Sequence, residues 1–292
     1  MFDWDDLRLF ITAARTGSFT RAAQQLGVDA ATIARRVSRL EGGLKVTLFV
    51  RSVAGLRLTA AGERLAEVGL EVENAMLAAE SAAEPDRVGG VVRLSTSEGF
   101  GAEILAPALP RLRAQRPALR VELVASSGFL SPGRREADIT VTLTRPKDPR
   151  LSVELLTPYH LALYASGAYL AAHGAPQTVE DLKNHELVGY VEDLIYAREL
   201  NYLDEVGKNL RPGLASSSIQ AQRGIISHGG GIGVLPAFLA KGLEPVLAKD
   251  VRLTRNFFVT ARSETADTAR IRAVRTWLKD AAEHRRGDLL LP

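Results

Sequence analysis

Thr32, Arg35, Arg36 and Arg39 follow one another at steps of three, one and three residues. On a helix this spacing keeps them outside the apolar stripe that Ile33, Val37 and Leu40 form at i, i+4 and i+7. Three guanidiniums and a small hydroxyl on an outer helix face suit a DNA major groove, where arginine meets guanine edges and phosphates. Of 37 basic residues 30 are Arg and 7 are Lys, a preference that fits phosphate chemistry and that a genome-wide arginine bias would also produce. A second group of polar residues sits at the ends of apolar runs. Thr96, Ser97 and Glu98 follow one such run, Ser126 and Ser127 a second, and Thr144 and Arg145 a third. Ser217 and Ser218 precede a helical segment. Hydroxyl-rich ends of this kind can hydrogen-bond a small polar molecule.

Other chemistries find no footing. His160, His173, His185, His228 and His284 show no ligand spacing such as His-Glu-x-x-His. There is no cysteine, hence no disulfide, thiolate ligand or thiol nucleophile, which fits a reducing compartment. The run Gly229–Gly233 is not G-x-G-x-x-G, because Pro236 takes the third place counted from Gly231, and no Gly-Lys-Ser/Thr follows. It reads as a helix-to-strand turn. Ser217-Ser218 lacks the glycine frame of a nucleophile elbow and an evident base. No catalytic residue, metal site or cofactor is assigned, and the chain is expected not to be an enzyme.

The elements that hold the arginines can be read from turn chemistry. Leu7 to Ala14 cluster at helical spacing and Gly17 ends that helix. Ser18 caps a second helix, Phe19 to Leu26, closed by Gly27. Asp29 then caps a third, from about Ala30 to Glu41. Two short helices around a glycine turn are the helix-turn-helix pattern. Leu48-Phe49-Val50-Arg51 and Leu56-Arg57-Leu58, around Ala54-Gly55, read as the two strands of a wing. Thr59 caps a long helix through about Ala83, with Leu65, Val68, Val72, Met76 and Ala79 as one apolar seam. Glu84-Pro85-Asp86 and Gly89-Gly90 mark a hinge.

The charge follows this division. The net charge of +3 resolves into +4 over residues 1–60, −5 over residues 61–88 and +4 over residues 89–292. Residues 15–57 alone hold 8 basic and 2 acidic side chains, a basic head on an acidic connector.

Gly17-Ser18-Phe19-Thr20 with Ala22-Ala23, Leu26-Gly27-Val28, Leu40-Glu41, Leu48-Phe49, Arg51 and Leu58-Thr59-Ala60-Ala61-Gly62 together resemble the LysR-type transcriptional regulators. One departure stands out. The family usually has Ser-Gln-Pro or Ser-Gln-Ser before the recognition helix and a Ser one turn into it, whereas here Asp29-Ala30-Ala31 and Ala34 occupy those places. The resemblance implies double-stranded promoter DNA as partner, contacted by Ser18, Thr20, Arg21, Ala30, Ala31, Thr32, Arg35, Arg36, Arg39, Arg51 and Arg57. Thr32 and Arg35 are expected to read bases, and Arg36 and Arg39 to lie nearer phosphates. The long helix is expected to pair antiparallel with that of a second copy, making a dimer and, through the effector domains, a tetramer. RNA polymerase is a further partner that such a regulator implies.

The remaining two hundred residues alternate strand-like and helix-like segments. Val91–Ser95, Leu119–Val124, Asp138–Leu143, His160–Tyr164 and Phe257–Thr260 read as strands, and Gly99–Arg116, Ile219–Ser227 and Thr268–His284 as helices. That order predicts a largely parallel α/β sheet. The resemblance extends here, to a two-lobed effector domain of the periplasmic-binding-protein kind. Lobe I is expected over residues 89–160 and 262–292, and lobe II over residues 161–261. The whole is an α+β and α/β multidomain chain: winged helix-turn-helix over residues 1–60, linker helix and hinge over 61–88, effector domain over 89–292. Ligands of such folds bind at the carboxyl ends of strands. There the resemblance places a small-molecule effector among Thr96, Ser97, Glu98, Ser126, Ser127, Thr144, Arg145, Ser217 and Ser218. Glu98, beside a helix start where ligand anions dock, would exclude an anion or answer a cation, or simply face solvent. The acidic first residues and the lack of a long apolar run argue for a cytoplasmic protein without membrane association. A solute-binding transport component and an α/β enzyme are the competing classes; the basic head disfavours the first, the missing catalytic constellation the second.

Overall fold

The computed structural model describes residues 3–52, 55–83, 88–126 and 137–291. The chain forms two compact units, Met1–Pro85 and Asp86–Pro292.

In the first unit, α1 (Trp4–Thr16) is capped by the Asp3 carboxylate and closed by Gly17 at φ +63°. α2 (Phe19–Leu26) starts at Ser18, whose Oγ accepts from Arg21 N, and ends at Gly27 at φ +67°. α3 (Ala30–Leu44) starts at Asp29 and runs past the expected end at Glu41. The Glu41 side chain does not stop the helix; its carboxylate accepts from Leu48 N at 2.7 Å and Phe49 N at 3.3 Å, fastening the next segment. β1 (Phe49–Ser52) pairs antiparallel with β2 (Gly55–Leu58), the two strands of the wing. Its tip, residues 53 and 54, lies outside the described residues. Phe49 packs against Phe10 at 5.3 Å and edge-on against Phe19 at 5.6 Å, joining the wing to the core of Leu7, Phe10, Ile33, Val37 and Leu40.

Thr59 begins α4 (Ala60–Ala83) by accepting from Gly62 N and donating to Thr47 O. At 1.5 Å per residue α4 is about 36 Å long. The expected single seam is divided. Leu65 and Val72 pack on the head's own core, whereas Val68 and Met76 are exposed. The side chain of Ala79 and the hinge at 84–87 lie outside the described residues.

The second unit opens with β3 (Gly90–Ser97), α5 (Glu98–Phe100), a π turn (Gly101–Leu105) and α6 (Ala106–Gln115). Pro107 sits in the first turn of α6, where its missing N–H is harmless. β4 (Leu119–Ser126), β5 (Ile139–Thr142) and the long β6 (Leu151–Ala165) follow, then α7 (Gly167–His173), β7 (Leu187–Gly189) and α8 (Tyr202–Val206). β8 (Leu214–Ala215), α9 (Ile219–Ser227), β9 (Ile232–Pro236), β10 (Glu244–Val246) and β11 (Leu253–Arg262) complete the strands. α10 (Ala269–His284) and α11 (Arg286–Leu289) close the chain.

The strands run in the order β4-β3-β5-β11-β6-β9-β7-β8, with β10 on β6. The sheet is mixed, not largely parallel. β3 pairs parallel with β4 and β5, and β7 with β8 and β9, but β6 and β11 are antiparallel to each other and to their other neighbours. The cause is topological. The chain leaves one lobe along β6 and returns along β11, and two successive passes over one crossing run in opposite directions. Leu161 pairs with Leu253 and Leu151 with Arg262, so the positions 160/161 and 261/262 lie near opposite ends of one ladder. A register shift at Phe257/Phe258 leaves Leu156 as an extra residue in the crossing.

The glycine run is a turn, as expected. Gly229 has φ +82° and Gly231 φ +139°, between α9 and β9. A Cβ on Gly231 would lie 2.4 Å from Glu186 O, so backbone approach as well as dihedral angle calls for glycine.

Candidate DNA interface and ligand recess

α3 presents unequal arginines. At about 100° per residue, Arg35 falls nearly opposite the Ile33–Val37–Leu40 stripe, while Arg36 falls beside it. Arg36 is therefore drawn to α1, with its Nη1 3.1 Å from Asp6 Oδ1. Arg39 binds the same carboxylate through Nε at 2.6 Å and Nη2 at 2.6 Å, and reaches Asp3 at 3.3 Å. Asp6 is 1% exposed. Burial pushes its carboxyl up, but the hydrogen bonds and charges of Arg39 and Arg36 outweigh burial and hold it below its ordinary value. Arg36 and Arg39, expected to lie nearer phosphates, both brace α3 against α1, and Arg39 keeps an exposed side chain. Arg35 is exposed and has no ion-pair partner among the described residues.

Thr32 is half-committed. Its hydroxyl donates to Asp29 Oδ2 at 2.7 Å, while its N–H meets Oδ1 of the same cap at 2.7 Å. These bonds hold the Asp29 carboxyl below its ordinary value. The Thr32 oxygen keeps its accepting capacity. Thr20, Arg21, Ala31 and Arg57 are exposed, and Ser18 and Ala30 half-buried; the Arg51 side chain lies outside the described residues. Ser38 is exposed on the Arg35 side of α3 and joins the candidate surface. The helical period alone places it there, beside Arg35 and away from the apolar stripe.

In the second unit, a recess of about 400 Å³ lies where β3, β6 and β11 meet the segments around β7, α8 and α9. Ser97, Glu98, Ser217, Leu143, Tyr159 and Tyr196 are among its lining residues. Glu98 spans it. Ser218 Oγ donates to Glu98 Oε1 at 2.9 Å, and Ile219 N donates to Oε2 at 3.1 Å. Glu98 thus fills the amino-terminal end of α9, where dipole and free N–H groups favour an anion. A second bridge runs from Gln220 Nε2 to Glu103 Oε1 at 3.3 Å. Phe100 and Phe257 lie 4.2 Å apart and Tyr159 stacks on Phe257 at 4.3 Å, forming an aromatic floor. Tyr190 and Tyr202 meet at 5.9 Å on another wall. Burial pushes the Tyr196 phenol up to about 12, with the Glu98 charge acting the same way.

Several expected lining residues lie elsewhere. Thr96 is fully buried and its Oγ1 has no hydrogen-bond partner. Side chains alternate along β3, so Thr96 packs beneath the π turn, where its Cγ2 would meet a Cβ on Gly101 at 2.8 Å, while Ser97 faces the recess. Thr144 and Arg145 are exposed beyond β5, and Leu143 takes their place in the lining. Ser126 is half-buried and not part of the lining, and Ser127 lies outside the described residues. Unlike the hydroxyls, the aromatic wall was not expected, because tyrosines spread from 159 to 202 meet only through sheet topology.

A winged helix-turn-helix followed by a long helix and a two-lobed domain with an inter-lobe recess defines a ligand-responsive DNA-binding regulator. Residues 4–63 match the bacterial regulatory helix-turn-helix protein, lysR family, and residues 85–283 match the LysR substrate binding domain. The chain belongs to the LysR-type transcriptional regulators. It is 31% identical to the HTH-type transcriptional regulator CrgA of Neisseria meningitidis over 92% of this chain and 93% of that protein. It is 30% identical to the Mau operon transcriptional activator of Paracoccus denitrificans, over 98% of this chain and 99% of that one. The solved structure of CrgA from Neisseria meningitidis superposes with a TM-score of 0.61 at 28% identity, covering 96% and 99% of the two chains. No helix of the described residues is long and apolar enough to cross a membrane.

Proposed function

We propose that this LysR-type regulator reads promoter DNA chiefly through Arg35, Ser38 and the Thr32 oxygen on α3. Arg21, Arg57 and Arg51 would serve the backbone on either side. A small-molecule effector occupies the recess between the lobes, and it acts as ligand only, with no cofactor, metal or catalytic step. The observation that carries the effector reading is the Glu98 bridge. One carboxylate from the β3 side holds the start of α9 on the other side, so a ligand at that point bears on both lobes. Occupancy would change the lobe arrangement and hence the spacing of paired heads on DNA. Exposed Val68 and Met76 support pairing of α4 with a second copy, and a tetramer through the effector domains follows from the same reading. Work on promoters in contact with RNA polymerase, and a cytoplasmic location, belong to it as well. A gel shift with the duplex upstream of its own gene tests the proposal. A discrete shift at low salt is expected, and a complex no tighter than with a random duplex would refute promoter reading.

A further inference from the structure

We infer that the effector of this chain is an organic cation, an ammonium or amidinium group on a small aromatic or aliphatic body. This rests on the reading of the inter-lobe recess as the effector site. Three observations carry it. Among the described lining residues Glu98 is the one carboxylate, and no Arg, Lys or His joins it. An anion would therefore find no countercharge, and the α9 amino terminus that could receive it already holds Glu98. The nearby Arg255 supplies none either, since its guanidinium is bound to Glu205 and to Glu199 O.

The walls suit a cation positively. Phe238, Phe257, Tyr159, Tyr190, Tyr196 and Tyr202 line the recess, and aromatic faces attract desolvated ammonium groups. The phenols cannot act as anions themselves, because burial pushes Tyr190 and Tyr202 far above neutral pH. Each Glu98 oxygen accepts one hydrogen bond from α9 and keeps room for another, so a cation can bind without dissolving the bridge. Binding would then tighten the contact between the lobes.

The test uses the full chain and three matched probes in calorimetric titration: 2-phenylethylammonium, 2-phenylethanol and phenylacetate. The cation is expected to bind at least tenfold more tightly than either isostere. In Glu98→Gln that advantage should vanish while the weak binding of the alcohol persists, which shows that the recess is still formed. Ser217→Trp, which fills the recess, should abolish binding of the cation. Phenylacetate binding as well as the cation, and blocked by Ser217→Trp, overturns the cation inference while the recess stands as the site. Cation binding that survives Ser217→Trp overturns the recess reading itself. Failure of the cation to bind overturns the inference.

Discussion

Asp6 shows how one buried carboxylate changes the meaning of its neighbours. It ties two arginines of α3 to α1, while Arg35 has no ion-pair partner among the described residues. Asp6→Asn should lower the stability of the head by about 2 kcal/mol at pH 7, the scale of hydrogen bonds to charged groups. The sign with pH is fixed. The folded carboxyl titrates below the unfolded one, so its contribution is present above about pH 4 and is lost as pH falls through the folded value. Urea unfolding of both proteins at pH 7 and pH 3 should show the gap closing on acidification; a gap that stays constant contradicts the ion pair. In the sequence, the helical period alone separates Arg35 from Arg36. The partner was not legible, because Asp3, Asp5 and Asp6 are equivalent until α1 has been docked on α3.

At the scale of elements, the close approaches are made by glycine. A Cβ on Gly62 would lie 2.2 Å from Leu48 O, so α4 can start only where it does because residue 62 has no side chain. Gly62→Ala should destabilise the first unit by about 1–3 kcal/mol, the usual cost of overpacking, read as a lower thermal midpoint. An unchanged midpoint would mean that α4 does not seat on the wing. The helices, their caps and the wing were legible because turn residues act locally: Gly17, Ser18, Gly27, Asp29 and Thr59 each do what their type dictates. The sheet was not. Alternation of strands and helices says nothing of the β6–β11 crossing, which pairs residues about a hundred positions apart and reverses the local strand direction. The recess suffered likewise. Glu98 and Ser218 are legible as strand and helix ends, but the face that Thr96 takes depends on the pleat phase, which turns it away from the recess lining.

For the whole molecule, the apolar residues left outside the head's own core bear on assembly. Val68 is 54% and Met76 45% exposed on α4, whereas Leu65 and Val72 pack on the head's core. Met76→Glu should weaken self-association at least tenfold in sedimentation while leaving the melting of the first unit unchanged. Unaltered association would place the pairing surface elsewhere. The basic head and acidic connector read from the charge blocks keep their meaning, with one amendment: part of the head's positive charge is spent inside the head. The central claim, that an isolated Arg35 on α3 reads the operator, has a direct measurement. Affinity of the full chain for the duplex upstream of its own gene and for a random duplex is measured by anisotropy across a salt series, for the wild type and for Arg35→Ala. Arg35→Ala is expected to lose about 1–3 kcal/mol on the specific duplex with little change on the random one. Equal losses on both duplexes, or none on either, would contradict it.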